Sequence, residues 1–249
     1  MLHEEFRQTA LEGRQTWYGA ETWLTDWECA KARIGLKLIG RAGNRNLLER
    51  VPHRCVLDLA LVCYLFLDMG GGCSGVVTIQ RNDLVRWGIS EEELFRQAEQ
   101  NREIFFTSEC IPMERMLTSL ITPEMGDEGR EPRELCRPFG TALEELPLYV
   151  ITNRQRSQGA SAVLSPGLLL RLTVERGWAD CFLLPSSIHE MIALPGTMAD
   201  TERLRWMVQD VNECAVRPED LLSYSVYCYS RLRNAICVEG GDEWYPLEG

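Results

Sequence analysis

The sequence predicts a mixed α/β protein: two similar β-β-α-β units around a mixed or antiparallel sheet, with flanking helices. Three observations carry that reading. Short apolar runs of strand length recur between turns built from Gly, Asn and Pro. Marked helix starts stand among them, the clearest at Ser90. The order strand, hairpin, strand, helix occurs in 56–101 and again in 148–177, each followed by an extended segment.

In 1–32, Trp23 and Trp27 are four apart and share one face of an expected amphipathic helix, with Trp17 upstream. The stretch 33–41 alternates apolar and basic residues, the pattern of a half-exposed strand. The 43–46 segment reads as a turn, and 56–67 as one long buried strand broken only by Asp58. Glycines in 68–75 supply a hairpin, and 76–80 returns as its second strand. Ser90, Glu91, Glu92 and Glu93 form an S-x-x-E capping box, with Ile89 and Leu94 as its hydrophobic staple. The helix is expected to run to about Asn101. Its three glutamates sit where the helix dipole favours negative charge, which explains them without a metal.

The Pro-, Gly- and charge-rich 122–147 segment reads as a loop or linker between a first unit, 33–121, and a second, 148–249, with C-terminal helices. In the second unit, 148–152 is a strand, 153–159 a turn and 160–164 a further strand. Ser165 and Pro166 then start a helix that Gly177 ends. Two short strands flank Ser186 and Ser187. Asp200 caps a helix that carries Leu204, Met207, Val208 and Val211 on one face. Pro218 restarts the chain, and 225–232 fits a strand or a helix.

Composition excludes several classes. No apolar run is long enough to span a bilayer, and the charged N-terminus lacks a secretory h-region. The ten cysteines include no CxxC pair, and several lie in apolar runs, as free thiols in a reducing cytoplasm do. Three histidines and no CxxC make a zinc site unexpected, and no cofactor fingerprint is present. The net charge of −11 and the scattered arginines give no basic face for direct nucleic-acid binding.

Six segments, 44–62, 87–101, 148–153, 159–169, 183–195 and 207–227, together resemble an uncharacterised bacterial family of unknown function found in gut Firmicutes. The most specific pieces are the LPSSIHE segment at 184–190 and the VN pair at 211–212. The resemblance covers about 33–230 and leaves the first 30 residues outside it. It implies a mixed α/β cytoplasmic protein and no particular activity.

The candidate catalytic residues are Ser187, His189 and His53. A serine nucleophile needs a base within hydrogen-bond reach and a third group to orient that base. On a strand, Ser187 and His189 share a face with Cα atoms ~6.6 Å apart, while Glu190 points away. No GxSxG elbow is present, and HEMIA lacks the second histidine of HExxH. The bland alternative is that Ser186 and Ser187 turn the chain and His189 packs on a sheet surface. Candidate ligand-binding residues are Ser186, Ser187, His189, Glu190, Asn153, Asn212, Asn44 and Arg54, polar groups at expected strand or helix ends. Capping or turn formation is the plain account of each asparagine. The glycines at 70–72 lack the Lys-Ser/Thr of a phosphate loop.

The leading expectation is a non-catalytic binding or regulatory module for a protein or small-molecule ligand, away from membranes. The alternative is a hydrolase-like enzyme using Ser187 and His189. An acidic nucleic-acid mimic, resting on net charge alone, comes third.

Overall fold

Asp58 interrupts the longest apolar run, and at that point the chain reverses. The computed structural model describes residues 25–70, 73–120, 147–197 and 200–248. In it the run expected as one strand is two: β2 (His53–Val56) and β3 (Leu59–Gly70), paired antiparallel with Val56 opposite Leu59. Leu57, at φ 55°, and Asp58 form the two-residue turn. A short loop with a left-handed residue matches the twist of the flanking strands.

β3 is the centre of the first sheet. β1 (Ile34–Gly40) pairs along one side of it, and β2 and β4 (Cys73–Thr78) share the other. The glycine hairpin thus joins β3 to β4 as expected. β1 is buried on both faces rather than half-exposed. Its apolar residues Ile34, Leu36 and Leu38 enter the main core, and Ile39 enters a smaller cluster with Leu48, Val51, Ala60 and Val62. Leu48 comes from α2 (Arg45–Leu48), which continues the expected turn.

Lys37 is the basic residue that this burial traps. Desolvation pulls its ammonium down to about 8. The unfolded chain keeps that proton up to ~10.4, so between about 8 and ~10.4 the unfolded state binds more protons and stability rises with pH. Lys37→Met is expected to stabilise the fold at pH 7 by on the order of 2–3 kcal/mol, with the gain shrinking towards pH 10. Thermal melts of both proteins across that range check it; a pH-independent difference contradicts it.

Two helices follow β4. α3 (Arg81–Trp87) was not expected. It has a capping box in which the Asp83 carboxylate accepts from the Gln80 N–H at 2.8 Å, and Gly88 ends it at φ 68°. α4 (Glu91–Ile104) starts at Ser90, whose hydroxyl accepts from the Glu93 N–H at 3.1 Å, and runs one turn past Asn101. α4 buries Leu94, Phe95 and Ala98 against the first sheet. Asn101 Nδ2 donates to the carbonyls of Lys31 and Ile34 at 2.7 and 2.8 Å. Ser161 donates to the Leu36 carbonyl at 2.7 Å. Side chains from two other elements therefore satisfy the outer edge of β1, which blunts an edge strand without a further partner.

The second sheet is antiparallel in the order β11 (Trp244–Pro246), β10 (Ala235–Val238), β9 (Tyr227–Ser230), β7 (Asp180–Ser187), β8 (Glu190–Pro195), β6 (Tyr149–Asn153), β5 (Ser108–Pro112). The 225–232 stretch is thus a strand. The 160–164 stretch is not: Gly159–Leu164 is a 3-10 helix packed against β6, β8 and β1. Its small residues allow close approach to two sheets, and the second unit follows strand, 3-10 helix, helix, strand. α5 (Met113–Leu120) follows β5 directly. α6 (Leu168–Arg176) ends at Gly177, φ 69°, as expected, but its N-cap is Gly167 and not Ser165. One face of the second sheet joins the core cluster of the first, through Tyr149, Ile151, Cys181, Leu183, Met191, Ala193, Tyr227 and Tyr229. The other face, Phe182, Leu184, Ile192 and Leu194, is covered by Leu204, Met207 and Val208 of α7 (Thr201–Cys214). Each of those side chains contributes about 1.5–3 kcal/mol on burial. Asp200 caps α7, accepting from the Glu202 N–H at 3.0 Å.

Of the N-terminal helical segment, the structure describes α1 (Trp27–Ala30), capped by Asp26. Trp27 packs against Trp87, centroids 5.6 Å apart. Trp17, Trp23 and nearly all of the 122–147 segment lie outside the described residues.

Candidate functional site

β7 and β8 form a hairpin whose last pair is Ser187 with Glu190, so Ile188 and His189 are its two-residue turn. A register shift between Pro185 and Ser187 brings both serines to the turn end. His189 is therefore not on a strand face, and the expected sharing of a face with Ser187 does not apply to it. The four residues of the SSIHE segment singled out from sequence do come together. Ser186 and Ser187 each donate to the same Glu190 oxygen, at 3.0 and 3.1 Å. Ser187 Oγ also accepts from the His189 backbone N–H at 3.1 Å.

The imidazole points elsewhere. Its Nδ1 accepts from the Gln158 N–H at 3.1 Å, which places the ring proton on Nε2. Nε2 faces Asp220 Oδ1 at 3.4 Å. The ring and the carboxylate are 31% and 28% exposed, so solvent reaches both. Backbone bonds hold the turn from three sides. Ile188 N–H donates to Asp220 O at 2.9 Å, Ala160 N–H to Ile188 O at 3.2 Å, and Thr152 Oγ1 to His189 O at 2.9 Å. Gln158 sits at φ 54°, and its buried side-chain oxygen has no hydrogen-bond partner among the described residues. The corner is thus an Asp–His pair and a Ser–Ser–Glu clamp, back to back. No hydrogen bond joins a serine hydroxyl to the imidazole, so the arrangement lacks the contact that activates a serine nucleophile.

The remaining candidates stand apart. His53 is on β2 in the first sheet, with Nδ1 donating to the Val51 carbonyl at 3.1 Å. Arg54 lies over the Phe95 ring, 4.4 Å from its centroid. Asn44 donates to the Gly40 carbonyl at 2.9 Å. Asn153 closes its own turn, donating to Ser157 O at 2.7 Å and accepting from Ser157 N–H at 3.2 Å. Asn212 donates to Ser223 O at 2.8 Å from inside α7. Asn44 and Asn153 do the local work of turns, Asn212 holds the segment after α7, and Arg54 packs β2 against α4.

Two polar groups were missed. Asp58 accepts from Ser223 and Ser225, both at 2.9 Å, and from Tyr227 at 2.7 Å, and so bolts the first sheet to the approach to β9. Burial and the adjacent carboxylate hold the Tyr227 phenol far above its ordinary range. Its signal was the lone acid inside an apolar run. Arg102, on α4, is buried and lines a cavity with Ser108, Asn153 and Ser161. Nothing in its neighbourhood distinguishes it from the chain's other arginines, because Ser165, which it meets, is 63 residues away and the other polar cavity residues come from several segments.

Among the described residues no group of three or more His, Cys, Asp or Glu could hold a metal ion, and no helix is long and apolar enough to cross a membrane. Cys29, Cys55, Cys63, Cys110, Cys181, Cys214, Cys228 and Cys237 are free thiols. Neither a curated protein nor a solved structure matches the chain. The model of a protein family of unknown function, DUF5688, matches residues 6–231, which takes in most of the N-terminal segment that the motif resemblance left outside. The match spans most of the sequence, and the chain belongs to this family of unknown function.

Proposed function

We propose that the chain is a non-catalytic binding or regulatory module of the cytoplasm that takes a small-molecule or protein ligand. The observation that supports this is the allocation of hydrogen bonds at the hairpin corner. Both serine hydroxyls are committed to Glu190, and the His189 lone pair is committed to a backbone N–H. A base that already accepts a fixed hydrogen bond at Nδ1, and carries its proton at Nε2 towards Asp220, has no free site to take a proton from Ser187. The corner instead offers a rigid polar surface, which suits recognition better than turnover.

The test is hydrolysis of an activated acetate ester and of a small ester panel by the full chain, beside its Ser187→Ala and His189→Ala variants. The expected result is no turnover that depends on either residue. Hydrolysis lost in both variants, with the fold intact by circular dichroism, overturns the reading.

A further inference from the structure

Arg102 carries the one charged side-chain nitrogen among the described residues that is fully buried without a hydrogen-bond partner. It is 8% exposed, yet its guanidinium has only two partners. Nε faces Glu99 Oε2 at 3.3 Å, and Nη1 donates weakly to Ser165 Oγ at 3.4 Å. Nη2 is buried with no hydrogen-bond partner. A buried guanidinium nitrogen left without an acceptor costs free energy that a ligand can restore.

The cavity beside it is donor-rich. Apart from Arg102 it is lined by Ser108, Ser161 and Asn153, with Leu36, Ala98, Phe106 and Ala162 as apolar wall. Ser108 Oγ is in close hydrogen-bond contact with Ser165 Oγ. Two hydroxyls that share one bond leave one O–H free, and Ser165 already accepts from Arg102. Two nearby acceptors are already engaged: the Leu36 carbonyl by Ser161, and the Asn153 side-chain oxygen by the Ser157 N–H. A water can pair with Nη2, but only an anion also offsets the guanidinium charge that the half-exposed Glu99 balances in part. A ligand that only accepts suits the site better.

We infer that this cavity, between α4, β5, β6 and the 3-10 helix, binds a small monovalent anion of about chloride size. The cavity has room for roughly one atom of water size, which excludes phosphate esters and nucleotides. The site rests on the binding-module reading and gives that module a ligand class. The elements that meet there come from both sheets, so an occupied cavity ties α4 to the strands of the second sheet.

The experiment uses the full chain exchanged into gluconate, an anion too large to enter, at constant ionic strength. Chloride, bromide, nitrate and formate are then titrated, followed by thermal melting and by chloride NMR line broadening. The expected result for wild type is a melting temperature that rises by about 3–5 °C for each tenfold of anion above its Kd. Arg102→Lys keeps the charge and removes the Nη2 donors; its affinity is expected to fall about 10–100-fold. Ser108→Ala removes one hydroxyl and leaves the arginine; a smaller loss is expected, and this variant serves if Arg102→Lys does not fold. A wild type that melts identically in gluconate and in every test anion overturns the site and leaves the non-catalytic reading standing. Equal anion shifts in wild type and both variants overturn it as well. Ser187-dependent ester turnover overturns the module reading whichever way the anions behave.

Discussion

Gly159→Ala is expected to destabilise the fold by about 4 kcal/mol, at the upper end of what one added methyl does in a packed site. A Cβ on Gly159 would lie 2.4 Å from Thr152 Oγ1 and 2.6 Å from both the Asn153 nitrogen and the His189 carbonyl oxygen. The hydroxyl could rotate away, but the two backbone atoms belong to β6 and to the hairpin turn and cannot move without breaking pairs. The close approach lets Gln158 reach the imidazole, so the same change is expected to release His189 from its Nδ1 partner. Thermal melting checks the first claim: a fall of roughly 8–16 °C is expected for a chain of this length. Gly43→Ala, with nothing within 4 Å of its added methyl, is the control and should melt as wild type. A Gly159→Ala protein that melts like that control shows the contact to be looser than described.

Asp58→Ala is expected to cost about 3–4 kcal/mol. Three hydroxyl donors lose one charged acceptor, and hydrogen bonds to charged groups contribute ~1.5–3 kcal/mol each, less than additively when they share a centre. Tyr227 is 1% exposed, so its freed O–H has no water to turn to. Urea unfolding of Asp58→Ala, Tyr227→Phe and the double variant measures the coupling directly. Strong coupling, with the double variant little worse than Asp58→Ala, is expected. Additive losses would mean that the tyrosine and the aspartate act independently.

Local chemistry was legible wherever one segment carried both partners. Ser90, Asp200 and Gly177 marked helix ends because caps involve neighbours two to five residues away. The glycine hairpin was legible for the same reason. The 160–164 segment misled because Ala, Ser, Ala, Val and Leu suit a strand by pattern, whereas their small size serves a 3-10 helix wedged against two sheets. β1 looked half-exposed because Lys37 occupies a polar slot in the alternation, and only the tertiary packing buries it. At the hairpin corner the sequence brought forward the right four residues and the wrong geometry. A one-residue register shift moved His189 from strand to turn. Its true partners, Gln158 and Asp220, lie about 30 residues to either side.

The bolt at Asp58 also sets a timetable. The first sheet is complete in sequence by Thr78, but the hydroxyls that satisfy its turn begin at Ser223. At 5–20 residues per second, a ribosome takes roughly 7–30 s to supply them. During that interval the first half of the chain holds a finished set of strands whose apolar face is covered only in part, by α4. Contacts of such long sequence separation also slow folding. An apolar face left open during synthesis is the condition that exposes a chain to aggregation, and here it falls on the first half.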